Sequence, residues 1–530
     1  MHGSLPRLVF MSGLGGISNS ALLAAISNAA ESAKDGGKPS LWAAGLFVVA
    51  LFLFITTQRY ILITATVEIE SIIHKLRVRL LDAVRHSELA AMDSIGRARI
   101  VASITSDAAV LTQAATQAVF SLQSVVLIVF VGFYVAYLSF VAFLLSIGIV
   151  AASGAIFYFQ GRQLAEGQRE AAELGNRLFD RLTDALDGFK EVRLNKLRSD
   201  QLMDDVCEVS SAAAYAKIKT DADNANRMIF SQIAMYLLLG TVVFVAPQLS
   251  EGGGSAISKA ILALLFVVGA SFGLVQSIPM LTAANASADR IAQLEADLLA
   301  TARSADIDPA EMPSSFETLE FRDVVFRYFD RTSEMTFGVG PIDFTLRRGD
   351  LVFITGGNGS GKSTFMKLLA GLYMPESGTI TLDGMVIGDN TREKYRALIT
   401  AIFGDYHLFL RLYGIGQPDH AEVERLLSQF QLAAKTRLTD GEFRTLDLSA
   451  GQRKRLALVV ALLEKRPILL LDEWASDQDP DFRRKFYNEV LPDLNRAGFT
   501  IIAISHDDRY LNELDYPARK LHMEEGRFAS

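Results

Sequence analysis

Three things are scarce in this chain of 530 residues: cysteine, net positive charge and, over one long stretch, charge of any kind. The single cysteine, Cys207, excludes a disulfide within the chain, and its ordinary role is that of a small apolar residue. The formal net charge is −8, the wrong sign for a protein that lives on nucleic acid. Between Ala108 and Gly161 there is no Asp, Glu, Lys or Arg. A membrane span needs roughly 20 apolar residues, so that stretch holds two, with a tight turn near Tyr137–Ser139.

Half of the residues are hydrophobic, and they concentrate in the first half of the chain. "WAAGLFVVALFLFITTQ" (Trp42–Gln58) is a strong span, and Met228–Leu249 and Ala260–Ala284 give two more. A first candidate, Leu8–Ala30, is richer in Gly, Ser and Asn; preceded by Arg7, it could instead be a signal peptide. The short start before Arg7 is also compatible with a clipped or misassigned N-terminus. The pattern therefore predicts a transmembrane domain over residues 1–300, with six spans near 8–30, 41–64, 117–137, 139–160, 228–249 and 260–284. Two long polar helical regions, about Glu68–Gln117 and Arg162–Arg227, carry most of this half's cations. The opposite loops are short, so the positive-inside rule places the long ones in the cytoplasm. Arg59 stands at the end of the second span, where it could snorkel to the interface or line a polar cavity.

An Ala-, Ser-, Pro- and Asp-rich stretch near 301–315 reads as a linker. From 316 to 530 short β-like runs alternate with helical patterns, the mark of an α/β domain with a largely parallel sheet. The strand "LVFITG" enters "GGNGSGKST", which fits G-x-x-x-x-G-K-[ST] at Gly356, Gly361, Lys362 and Ser363. Such a loop curls its backbone N–H groups, from Asn358, Gly359, Ser360 and Gly361 to Thr364, around phosphates. Lys362 is expected to reach the β- and γ-phosphates of ATP, and the Ser363 hydroxyl to ligate Mg²⁺. The strand "ILLLDE" delivers Asp472 and Glu473 at its C-terminal end, where open α/β sheets bind ligands. Asp472 suits the Mg²⁺ shell, and Glu473 suits polarising an attacking water. A third strand, "TIIAIS", ends in His506, placed to sense a γ-phosphate.

"DLSAGQRKR" (Asp447–Arg455) puts Ser449 and Gly451 at the head of a helix, followed by three cations. Taken alone, it is either a nucleic-acid patch or a helix N-terminus built to meet an anion.

The order P-loop, "LSAGQ", "LLLDE", strand-end His resembles the ATP-binding cassette (ABC) proteins. "LSAGQRKR" is similar to their signature motif, with Ala450 where Gly is usual. Six spans followed by one cassette is the layout of an ABC exporter half-transporter, and "DALDGFKEVRLN" resembles the cytoplasmic extensions of those exporters. The resemblance implies that Ser449, Gly451 and Gln452 meet the γ-phosphate of ATP held by a second copy, hence a homodimer. It makes the basic run part of a helix that also sees an anionic ligand, and disfavours nucleic acid as a partner. It further implies that Tyr328 stacks on adenine and that Asp479 crosses the dimer interface. Two departures stand out: Gly404 lies where a metal-binding glutamine is usual, with Asp405 or a water as its replacement, and Trp474 replaces a proline. "DEWASDQDP" and "SHDDRY" are similar to the subfamily that exports cyclic or nonribosomal peptides, of the pyoverdine and syringomycin type. The expectation is an ATP hydrolase of the bacterial cytoplasmic (inner) membrane, cassette inside, in contact with membrane lipid and exporting a peptidic or amphipathic cargo. Lipid or small hydrophobic drug export is the alternative, and an ATP-gated regulatory protein a third.

Overall fold

The computed structural model describes residues 10–11, 13–19, 21–22, 24–26 and 29, then 41–249, 254–301, 313–329 and 336–529. Residues 8–9, 12, 20, 23, 27–28 and 30 of the first expected span, and residues 302–312 of the expected linker, lie outside the described residues. The chain divides into two compact units: Met1–Leu80 with Val101–Gln293, and Leu81–Ile100 with Leu294–Ser530.

The first unit is helical. Its long elements are α1 (Leu41–His86), α3 (Ala108–Leu138), α4 (Phe140–Asp187), α5 (Lys196–Phe244) and α6 (Gly254–Thr301); a short helix, α2 (Leu89–Ile95), follows α1 but packs with the second unit. Ser139 is extended and caps α4 by accepting from Ala142 N, which makes the turn between α3 and α4 as tight as expected. Among the described residues four helices are long and apolar enough to cross a membrane, and Gly13–Ile26 and Phe140–Ser153 are shorter apolar helices. α5 has 49 residues. At 1.5 Å per residue it is about 70 Å long, more than twice the roughly 30 Å hydrocarbon core. Its charged N-terminal half must therefore stand in water, which is why the sequence changes from charged to apolar midway along one unbroken helix. Leu127, Val131, Val135, Leu238, Val242 and Leu264 pack the interior of the apolar portion, while Val48, Val49, Phe52 and Phe133 face outward, as lipid-facing side chains would.

The second unit is α/β. The strands of its two larger sheets are β1 (Thr318–Phe329), β2 (Thr336–Arg347), β3 (Leu351–Thr355), β4 (Ser377–Leu382), β5 (Met385–Val386), β6 (Ile399–Ile402), β7 (Ile468–Asp472), β8 (Thr500–Ile504), β9 (Arg519–Glu524) and β10 (Arg527–Phe528). An antiparallel sheet runs β2-β1-β4-β5, and a second sheet runs β10-β9-β3-β8-β7-β6, parallel from β9 to β6. Leu351, Phe353, Leu469, Leu471, Ile501 and Ala503 point into one hydrophobic cluster. Val352, Ile354, Ile468, Leu470, Ile502 and Ile504 point into the other. Both faces are covered, so the strands read as unbroken apolar runs rather than alternating ones. Ile504 lies beside both Ile354 and Asp472, so β3, β8 and β7 end at one level.

Candidate nucleotide site

Three loops leave those aligned strand ends. After β3 the chain turns through Gly356, Gly359 and Gly361, with φ of 145°, 77° and 101°. A Cβ at Gly356 would lie 2.2 Å from the Met523 carbonyl oxygen, so both the conformation and the space require glycine there. The loop feeds α7 (Lys362–Leu369). Asn358 to Thr364, with Glu473, line a cavity of about 470 Å³. Lys362 is buried and donates to the carbonyls of Gly356 and Gly357 at 3.0 and 2.8 Å. Burial pushes its ammonium below the usual lysine range, against the opposing pull of Glu473 and Asp472. The Ser360 hydroxyl is buried without a hydrogen-bond partner, an arrangement that suits a ligand oxygen in the cradle.

Asp472, at the end of β7, is buried, which raises its carboxyl above the usual range. A hydrogen bond from the Ser363 hydroxyl offsets this, as does one from the Gly404 N–H. The backbone of Gly404 thus reaches the carboxylate although the glutamine side chain usual at that place is missing. Ser363 and Asp472 offer a hydroxyl and a carboxylate side by side, oxygen donors that fit a hard cation. No group of three or more His, Cys, Asp or Glu that could hold a metal occurs among the described residues, so a cation here would draw further ligands from phosphate and water. The next residue, Glu473, has φ 47° and ψ 39°, left-handed for a side chain that rarely adopts it. Its Oε1 lies 2.9 Å from Nε2 of His506, and both side chains are partly exposed. Lys362, Asp472, Glu473 and His506 are therefore gathered at one sheet edge.

The signature residues sit on α8 (Ala450–Leu463). Ser449 is its N-cap: its hydroxyl accepts from Gln452 N, and the Gln452 side chain accepts from Ser449 N, at 3.4 and 3.2 Å. Gly451 is packed so closely that a Cβ would meet the Asp477 carbonyl at 2.6 Å. None of Ser449, Gly451 and Gln452 lines the cavity of their own P-loop. The three cations that follow lie on this helix but differ in burial. Arg453 is exposed, but Lys454 and Arg455 are buried and point into their own unit. Lys454 pairs with Asp477, and Arg455 pairs with Asp479 while lying 3.7 Å over the Phe482 ring. Asp479 caps the helix Pro480–Lys485; the Phe482 N–H, then Arg455, hold its carboxyl below the usual range. Trp474 is buried and its indole N–H donates to the Lys454 carbonyl at 2.8 Å. Tyr328 lies on β1 opposite Phe337, and its side chain is outside the described ones.

Among the described residues, two cavities of the helical unit have mainly apolar linings that include uncharged polar side chains. Gln58, Gln117, Gln123, Ser124 and Asn19 contribute to one of about 410 Å³. Gln117, Asn224 and Gln276 contribute to another of about 470 Å³. Gln58 donates to Gln123 at 3.2 Å, while the Gln123 side-chain N–H₂ is buried without a partner. A third cavity, of about 410 Å³, is walled mostly by Val, Ile, Leu and Phe. Arg59 is exposed and borders none of the three.

A membrane-type helical unit and a P-loop α/β unit in one chain define an ATP-driven membrane transporter. Residues 7–272 match the ABC transporter transmembrane region and residues 339–476 the ABC transporter family. The ATP-binding protein SyrD of Pseudomonas syringae pv. syringae is 34% identical across 97% of this chain and 92% of its own length. The mycobactin import ATP-binding/permease protein IrtB of Mycolicibacterium smegmatis is 30% identical over 53% of this chain and 50% of its own. The fold matches a bacterial Atm1-family ABC exporter with ATP bound, with TM-score 0.76 and 20% identity over 100% of this chain and 95% of that one. The chain belongs to the ABC transporter family, with the half-transporter layout of its exporters. It binds ATP and couples hydrolysis to transport from the bacterial cytoplasmic membrane, with its cassette in the cytoplasm.

Proposed function

We propose that this chain works as a homodimer that exports a peptidic natural product. The observation that carries the cargo class is a pair of cavities whose mainly apolar linings include several side-chain amides and no charge. Polar groups at membrane depth are costly and are kept where they bind something. Glutamine and asparagine donate and accept hydrogen bonds in the pattern of a peptide's own amides, and no charged residue lines either cavity. The likeness of "DEWASDQDP" and "SHDDRY" to peptide exporters points the same way. The largely apolar third cavity favours the second reading, export of a lipid or small hydrophobic molecule.

The homodimer is supported by the signature residues, which border no part of their own phosphate cradle. In this reading Asn358–Thr364 hold the phosphates, Lys362 exchanges its loop carbonyls for them, and the partner's signature closes over the nucleotide. Ser363 and Asp472 would hold Mg²⁺, which supplies charge neutralisation at the phosphates. Glu473 accepts the proton of the attacking water, and His506 fixes the carboxylate through their hydrogen bond.

The test is metabolite profiling of a deletion strain, with cytoplasm and medium analysed apart. A peptide that accumulates inside and disappears outside supports the proposal. Unchanged peptide pools beside an altered lipid profile would move the cargo to the second reading.

A further inference from the structure

Lys454 is buried, yet its ammonium is fully used. Nζ donates to the Glu473 carbonyl at 2.7 Å and to the Ser476 hydroxyl at 3.0 Å, and pairs with Asp477 Oδ2 at 2.8 Å. An ammonium has three donors, and all three go to the turn that starts at Glu473. Lysine is seldom buried unless paired in this way. The contact is returned, because the indole of Trp474, the residue after Glu473, donates to the main-chain carbonyl of Lys454. α8 and the Glu473 turn therefore clasp each other twice, once through each side chain.

What the clasp holds is a strained residue. Glu473 has left-handed backbone angles, which persist only where the surroundings enforce them. Its N–H donates to the Ile504 carbonyl of β8 at 3.2 Å, which fixes one side of the residue. Its carbonyl is fixed by Lys454, together with the Ser476 hydroxyl at 2.7 Å. With both peptide groups held, the Glu473 side chain is left to meet His506. The same helix begins at Ser449, one and a half turns before Lys454.

We propose that Lys454 is a positioning residue for ATP hydrolysis. It holds the Glu473 backbone in the conformation that presents the carboxylate, and it ties that carboxylate to the helix whose N-terminus meets the second copy's nucleotide. The inference rests on the roles given above to Glu473 and to the homodimer.

The full-length transporter in lipid nanodiscs carries the test. Lys454→Met, Lys454→Arg, Asp477→Asn and Glu473→Gln are compared with the wild type for kcat and KM of ATP hydrolysis and for binding of a fluorescent ATP analogue. Displacement of a catalytic group by about 1 Å can cost about a hundredfold in rate. Lys454→Met is expected to lower kcat by about ten- to a hundredfold while analogue affinity stays within about twofold. Lys454→Arg should recover most of that loss, since it restores a donor to the carbonyl. Asp477→Asn, which keeps a side-chain oxygen for the Lys454 ammonium but removes its counter-charge, should show the same kcat-only effect in milder form, and it stands in should Lys454→Met not fold. A folded Lys454→Met with wild-type kcat, or a loss confined to nucleotide affinity, overturns the proposal, as does an Asp477→Asn without effect where it is the stand-in. Wild-type turnover by Glu473→Gln would instead overturn the role of Glu473.

Discussion

A methyl group added at Gly451 would come within 2.6 Å of the Asp477 carbonyl oxygen, whereas one added at Gly404 would meet nothing within 4 Å. The carbonyl is backbone, and Asp477 is itself held by Lys454, so the neighbour has no easy way to yield. Overpacking of this kind costs about 1–3 kcal/mol. Gly451→Ala is therefore expected to lower the thermal midpoint by several degrees and to reduce ATP hydrolysis. Gly404→Ala, which keeps the N–H that reaches Asp472, should leave both within error; thermal melts and a phosphate-release assay on the two variants check this. The contrast bears on what the sequence discloses at this scale. The P-loop, Asp472 and Glu473 were legible because phosphate chemistry imposes a local pattern on consecutive residues. Arg453, Lys454 and Arg455 look alike in sequence, and only the rotation of α8 decides that the first is exposed and the other two are buried. Nor could the sequence place the Gly404 N–H on Asp472, because a backbone donor leaves no mark on residue identity.

At the scale of elements, the strands of the parallel sheet were plain in the sequence, since burial on both faces writes each as an apolar run. The polar helical region expected over about Glu68–Gln117 is helical in several pieces. It breaks at Ser87–Glu88 and again at Gly96, whose φ is 83°, and between the breaks α2 packs with the nucleotide-binding unit. Leu89 rests on that unit's core, Asp93 accepts from the Tyr373 hydroxyl at 2.9 Å, and Glu88 meets Arg392 at 2.6 Å. Periodicity could not reveal this, because the breaks are set by the surface on which α2 lies. The Arg392 guanidinium is buried, and its second partner, Asp389, is half-exposed. Reversing one charge leaves a buried like-charge contact; reversing both restores the pair. In hydrogen–deuterium exchange, Glu88→Arg and Arg392→Glu alone should each speed exchange in residues 89–95 by about tenfold or more, the signature of local opening. The double variant should regain a measurable part of the protection. Equal protection in all four proteins would mean that apolar contacts alone hold α2.

For the whole molecule, the arrangement of the site within one chain sets the number of chains that hydrolysis needs. The cradle is lined by residues 358–364 and Glu473, while Ser449 and Gln452 are occupied in capping their own helix. If each ATP lies between the P-loop of one copy and the signature of the other, two defects should behave differently when shared between copies than when carried by one. Lys362→Ala removes the cradle's cation, and Ser449→Arg alters the signature at an exposed position, for about 1 kcal/mol of lost capping. Each variant alone should be inactive as a homodimer. Mixed dimers, isolated with two affinity tags, separate the models. Lys362→Ala paired with Ser449→Arg places both defects in one composite site and leaves the other intact, so activity should return to roughly half of wild type if the sites act independently. A double variant paired with a wild-type chain places one defect in each site and should be nearly inactive. Sites complete within one chain would give the reverse pattern, activity in the second mixture and none in the first, so a single pair of phosphate-release measurements decides whether this transporter's working unit is the chain or the dimer.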